Sequence, residues 1–133
     1  VPSNAKVGFC HNDLLGANIL FDPCLGKVQL IDFEYGGFNY LSFDLANHFN
    51  EFAGGTDGSG IPNYDWFPTH ERQREFVTHY LTAVSGETPP KEDIDLLLHE
   101  IHGFILANHL YWGLWGVNQA ATEGCGEFDY LLY

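Results

Sequence analysis

Three side chains early in the chain have the types and spacing that phosphoryl transfer needs. His11-Asn12-Asp13 is followed at Asn18 by a carboxamide, which makes the pattern H-x-D-x-x-x-x-N. In such a loop the aspartate accepts the proton of a substrate hydroxyl and the asparagine holds a magnesium ion. Asp32 stands downstream as a metal carboxylate. Magnesium takes hard oxygen ligands and uses only one or two carboxylates beside substrate phosphates, so Asn18 and Asp32 are a sufficient protein contribution. Glu34, two residues on, points the same way in an extended chain and can reach a second magnesium directly or through water. Asp44 is expected to brace the catalytic loop by accepting backbone N–H bonds. His11 is expected to support that loop by packing and hydrogen bonding, as a structural residue.

These residues need a frame that brings them to one edge. The apolar runs Ile19-Leu20-Phe21 and Val28-Gln29-Leu30-Ile31 flank a turn at Asp22-Pro23-Cys24-Leu25-Gly26, which predicts a β-hairpin with the catalytic loop on one end and Asp32 on the other. A helix is predicted over Ser42 to Ala53, with Phe43, Ala46, Phe49 and Phe52 buried and Asp44, Asn47 and Glu51 sharing a polar face. Residues 54–68 read as a loop anchored by Tyr64, Trp66 and Phe67. Thr69 is a natural N-cap for a helix through about Val84, closed by Gly86, with Phe76, Val77, Tyr80, Leu81 and Val84 inward. A longer helix follows Pro89-Pro90 toward Gly124. Its inward side is predicted to carry Ile94, Leu97, Leu98, Ile101, Ile105, His109, Trp112 and Val117. The fold class is α+β, mostly helical.

The segments HNDLLGANIL and IDFEYGGFNYLSFDLANHFNEF, with HLYWGLW further on, resemble the choline/ethanolamine kinase family. Bacterial aminoglycoside kinases are similar to the first segment but lack the aromatic run Tyr35, Phe38, Tyr40, Phe43 and the NHF-x-E ending. The resemblance is dense from Phe9 to Ala53 and resumes at His109–Trp115. It implies a protein-kinase-like fold in which residues 1–133 form part of the C-terminal lobe. The implied activity is ATP- and Mg2+-dependent phosphorylation of ethanolamine or choline, a step toward phosphatidylethanolamine or phosphatidylcholine. It further implies that Glu51, Trp112 and Trp115 line the pocket for the alcohol's cationic head, with Tyr133 and Tyr64 as further candidates. Tryptophan faces attract such a head by about 0.5–2 kcal/mol per contact. The segment HFNEFAG resembles the ethanolamine-preferring members, so ethanolamine is expected to be the better substrate.

Composition narrows the field. A net charge of −13 with only five lysines and arginines argues against nucleic acid and favours a cationic ligand. Three cysteines without metal-type spacing suit free thiols in a reducing, cytoplasmic setting, and the apolar run around Ile101 is too short and too interrupted for a membrane span. A kinase of this type has two lobes, and the residues before Val7 cannot supply a nucleotide-covering strand pair or a phosphate-gripping lysine. The chain is therefore expected to be a fragment of a longer enzyme, inactive by itself. A homodimer is left open. Two other readings compete: a cation-binding or dimer-decoy module without transfer activity, and a metal-dependent hydrolase using His11, Asp13 and Asp32.

Overall fold

The computed structural model describes residues 5–54, 61–124 and 129–131. Strand β1 (Val7–Cys10) leads into the catalytic loop, which closes through a single 3-10 turn at Gly16–Asn18. β2 (Ile19–Asp22) and β3 (Lys27–Leu30) then form the expected antiparallel hairpin, with Ile19 opposite Leu30 and Asp22 opposite Lys27. The Asp22 carboxylate accepts from the backbone N–H of Cys24 and Leu25, and Gly26 takes φ +60°, so the turn residues build the turn that their chemistry suggests.

A second two-stranded sheet was not expected. β4 (Gly37–Tyr40) pairs antiparallel with β1, Val7 opposite Tyr40 and Cys10 opposite Gly37. This pairing returns the chain from Asp32 to the base of the catalytic loop. Both ends of the metal loop are thereby tied down, one by β3 and one by β4. Val7, Phe9, Phe21, Val28 and Phe38 nonetheless remain more than half exposed on the two sheets.

Helix α1 (Leu41–Glu51) starts one residue before and ends two residues before the predicted span. Phe52 lies in the closing turn and is largely exposed, so it does not belong to the buried stripe. Leu45 does. α1 buries Phe43, Leu45, Ala46 and Phe49 against Val77 of α2 (His70–Ser85) and against Ile94, Leu98, Ile101 and Phe104 of α3 (Lys91–Glu123). Each such side chain contributes about 1.5–3 kcal/mol when fully removed from water. α2 is capped as its sequence predicts, with Thr69 Oγ1 accepting from Arg72 N and Gly86 in the left-handed conformation at φ +78°.

Beside Phe52, three further inward assignments fail. Val84 is exposed at the end of α2, and His109 and Val117 are exposed because the buried stripe of α3 runs Ile94, Leu98, Ile101, Phe104, Asn108, Trp112, Gly116, three or four residues apart throughout. In the 54–68 segment Tyr64 and Trp66 form a short 3-10 turn and are mostly exposed; only Phe67 packs partly against the core. Among the described residues no helix is long and apolar enough to cross a membrane.

Candidate functional site

Side chains of α1 hold the main chain of the loop around Asp13. Asp44 accepts two backbone bonds, from His11 N at 2.8 Å and Asn12 N at 2.7 Å. One helical turn on, Asn47 Oδ1 accepts from Leu14 N at 2.6 Å, and His48 Nδ1 donates to Leu14 O at 2.9 Å. Positions 44, 47 and 48 share one face of a helix, so they grip the main chain on both sides of Asp13. Asn47 is fully buried, and sequence reasoning gave it no role beyond membership of a polar face.

Asn12 supplies a second tie. Its backbone sits at φ +67°, a region that asparagine tolerates better than most residues. Its side-chain Nδ2 donates to Tyr35 O at 2.8 Å, and its Oδ1 accepts from Asn39 Nδ2 at 2.9 Å. The loop is thus locked to the segment after Asp32 and to β4. His11 Nε2 donates to Ile31 O at 2.7 Å while its ring packs on Phe33 at 4.6 Å, which fastens the loop to the residues flanking Asp32. Asp32 itself is at φ +62° and its side chain is exposed. Such backbone strain costs about 1–3 kcal/mol and persists only where the surroundings enforce it.

Asp13 lies half-buried within this frame. Burial holds its carboxyl above the usual aspartate range, with the Asp32 and Glu34 charges adding to the shift and His11 and Asn18 opposing it. Asn18 Nδ2 donates to Asp13 O at 2.9 Å and to Asp13 Oδ2 at 3.3 Å. Its amide nitrogen is therefore committed, and its oxygen is the group left for a cation. A carboxamide oxygen and the Asp32 carboxylate are hard donors of the kind magnesium takes, so the residues present fit that metal.

A cavity of about 100 Å³ opens at the C-terminal end of α1, lined by Glu51, Tyr64, Asn50, Asn108 and Trp112 among others. Trp112 is buried and its ring meets Trp115 at 5.4 Å and Tyr35 at 5.3 Å, both edge-on. Trp115 Nε1 donates to the Tyr35 hydroxyl at 3.1 Å. Tyr35 follows Glu34 directly, so the aromatic cluster on α3 abuts the metal loop. Tyr130 stacks edge-on with Trp115 at 5.5 Å, and its backbone oxygen would lie 2.7 Å from any Cβ added at Gly116. Tyr133 lies outside the described residues.

One frame therefore brings His11, Asp13, Asn18, Asp32 and Glu34 to one edge, with Asp44 beneath the loop. It places Glu51 and Trp112 on the wall of a neighbouring pocket, whereas Trp115, expected there as well, does not line it and packs instead against Trp112, Tyr35 and Tyr130. The residues that sequence reasoning missed are Asn12, Asn47, His48, Asn50 and Asn108. Asn50 and Asn108 were signalled only by polarity at positions that helical spacing assigns to the interior, Asn47 and His48 lay on the polar face with Asp44, and Asn12 sat in the loop with no periodic signal.

The family model for choline/ethanolamine kinase matches residues 2–133. The probable ethanolamine kinase A of Dictyostelium discoideum is 42% identical over 130 residues, covering 98% of this chain and 36% of that protein. The probable choline kinase 3 of Arabidopsis thaliana is 41% identical over 135 residues, covering 100% of this chain and 38% of that protein. The solved structure of a Plasmodium vivax ethanolamine kinase superposes with a TM-score of 0.82 at 34% identity, covering 96% of this chain and 31% of that one. The chain spans about a third of the length of these relatives.

Proposed function

The chain belongs to the choline/ethanolamine kinase family, and from that premise we propose that it is the catalytic and alcohol-binding part of a longer enzyme that transfers the γ-phosphoryl group of ATP to ethanolamine. The observation that carries the reading is the dual use of α1: Asp44, Asn47 and His48 hold the chain around Asp13, and Glu51, one turn further, lines a cavity walled by Trp112. One turn of helix is about 5.4 Å, a separation suited to a short amino alcohol with its hydroxyl at one end and its ammonium at the other.

In this reading the hydroxyl of the alcohol meets Asp13, whose raised basicity suits it to take the proton as the O–P bond forms. Asn18 and Asp32 hold magnesium, with Glu34 beside them; the bound metal supplies charge stabilisation for the phosphates. Glu51 counters the ammonium charge beside the ring of Trp112, which Trp115 supports by edge-on packing. The nucleotide-covering lobe is assigned to sequence beyond these 133 residues. Among the described residues Cys10 and Cys24 are free thiols, which supports a reducing, cytoplasmic setting.

Choline is the alternative substrate, and the cluster of Tyr35, Trp112, Trp115 and Tyr130 favours it, because a quaternary ammonium is held by aromatic faces. Steady-state kinetics with the full-length protein decide between them. The expected result is ATP- and magnesium-dependent phosphorylation with the higher kcat/KM for ethanolamine. Phosphorylation of neither alcohol overturns the proposed activity, and a higher kcat/KM for choline overturns the substrate assignment.

A further inference from the structure

Buried polar atoms of three residues that line the cavity beside Glu51 have no hydrogen-bond partner among the described residues. They are Asn50 Oδ1, Asn108 Nδ2 and Trp112 Nε1. Their residues are 8%, 1% and 8% exposed. Asn50 and Asn108 already bond each other, Asn50 Nδ2 donating to Asn108 Oδ1 at 2.8 Å, with a longer bond from the same nitrogen to Ile105 O at 3.4 Å. The pair joins α1 to α3 and spends half of its polar capacity in doing so. The other half, one acceptor and one donor, is left without a partner in two residues that line the cavity.

Buried polar atoms in folded proteins are almost always satisfied by protein, ordered water or ligand. A space of about 100 Å³ has room for several small polar groups and is bounded on one side by a carboxylate and on another by an indole.

We infer that Asn50 is a specificity-determining residue: its Oδ1 accepts an N–H from the ammonium of the substrate, and Asn108 orients it. This rests on the amino-alcohol kinase activity proposed above. An ammonium offers no acceptor to the two donors, Asn108 Nδ2 and the Trp112 indole N–H. Glu51 supplies charge to any cation. Asn50 Oδ1 distinguishes among cations, because a quaternary nitrogen has no hydrogen to give and would leave that oxygen desolvated and unpaired. Sites built to hydrogen-bond a substrate reject analogues that lack the group far more strongly than apolar pockets reject a missing methylene.

The test uses the full-length protein and four acceptors: ethanolamine, its N-methyl and N,N-dimethyl derivatives, and choline, which carry progressively fewer N–H groups. In the unmodified protein kcat/KM should drop sharply between the dimethyl compound and choline. Asn50→Ala should cut the ethanolamine-to-choline ratio of kcat/KM by about 10- to 100-fold and erase that step. Asn50→Asp, which keeps an oxygen in place and lets the Asn108 amide donate to the other, should restore the step. A variant that lowers all four acceptors equally would reduce Asn50 to a structural link between α1 and α3 and overturn the inference. An unmodified protein that phosphorylates none of the four overturns the proposed activity as well, so the two failures are distinguishable.

Discussion

Removing the Asp44 carboxylate is the sharpest perturbation of the catalytic frame. In Asp44→Ala the N–H groups of His11 and Asn12 lose their acceptor, having been bonded at 2.8 and 2.7 Å. Bonds to a charged group contribute about 1.5–3 kcal/mol each, and water reaching this half-buried site makes up part of the loss, so the net destabilisation should be about 2–4 kcal/mol. That is a large fraction of the roughly 5–15 kcal/mol by which domains are stable. Asp44→Asn keeps one acceptor but turns an N–H donor toward another N–H, and should lose about half as much. The catalytic effect should be larger than the structural one suggests. Asp13 is positioned by its neighbours on both sides, and a displacement of about 1 Å costs about 100-fold in rate. Urea unfolding and steady-state kinetics of the full-length protein measure the two effects. If Asp44→Ala stays within about 0.5 kcal/mol of the unmodified protein and keeps kcat within about threefold, the loop does not depend on α1 and the reasoning is wrong.

Asp13→Asn should lower kcat by about 10²- to 10⁴-fold while leaving ATP affinity nearly unchanged, because the side chain acts on the hydroxyl; weakened ATP binding with kcat preserved would refute it. Burial and the Asp44 carboxylate push the Cys10 thiol up to about 11, whereas Cys24 is exposed, so iodoacetamide at mildly alkaline pH should label Cys24 long before Cys10, as read by peptide mass spectrometry; equal labelling would contradict this. Burial, with the neighbouring His70 and His99 charges, holds His102 below its ordinary pKa of 6.5. The unfolded chain then binds the proton more readily, so His102 contributes stability that is present above about pH 6.5 and lost as pH falls through the lower folded value. Replacing it with glutamine, which can still donate to Gln73 Oε1, should flatten the decline of the urea midpoint between about pH 7 and pH 5. An unchanged or steeper slope in the variant would refute the assignment.

Much of this architecture is written locally. The β2–β3 hairpin follows from Asp22, Pro23 and Gly26; α2 follows from Thr69 and Gly86; the H-x-D-x-x-x-x-N spacing marks the loop whatever surrounds it. The illegible parts are tertiary. β4 is only Gly37-Phe38-Asn39-Tyr40, too short after two glycines to signal a strand, and it becomes one because β1 lies ready to pair with it. The register of α3 was misjudged at His109 and Val117 because the helix is apolar nearly all round, so periodicity cannot say which side faces the core. Asn108, fully buried, looks like surface until Asn50 appears across from it. The pocket polarity escaped for the same reason: a buried asparagine is legible only with its partner in view.

The grip of α1 on residues 11, 12 and 14 engages main-chain atoms alone. Every amino acid but proline presents the same N–H, so the clamp is indifferent to which letters occupy those positions and sensitive to how many there are. Substitutions there test the chemistry of the side chain concerned. A single-residue insertion or deletion between His11 and Leu14 puts all four bonds out of register at once, as does one between Asp44 and His48. The α1 clamp by itself should therefore tolerate changes of letter at the positions it grips far better than any change in their number.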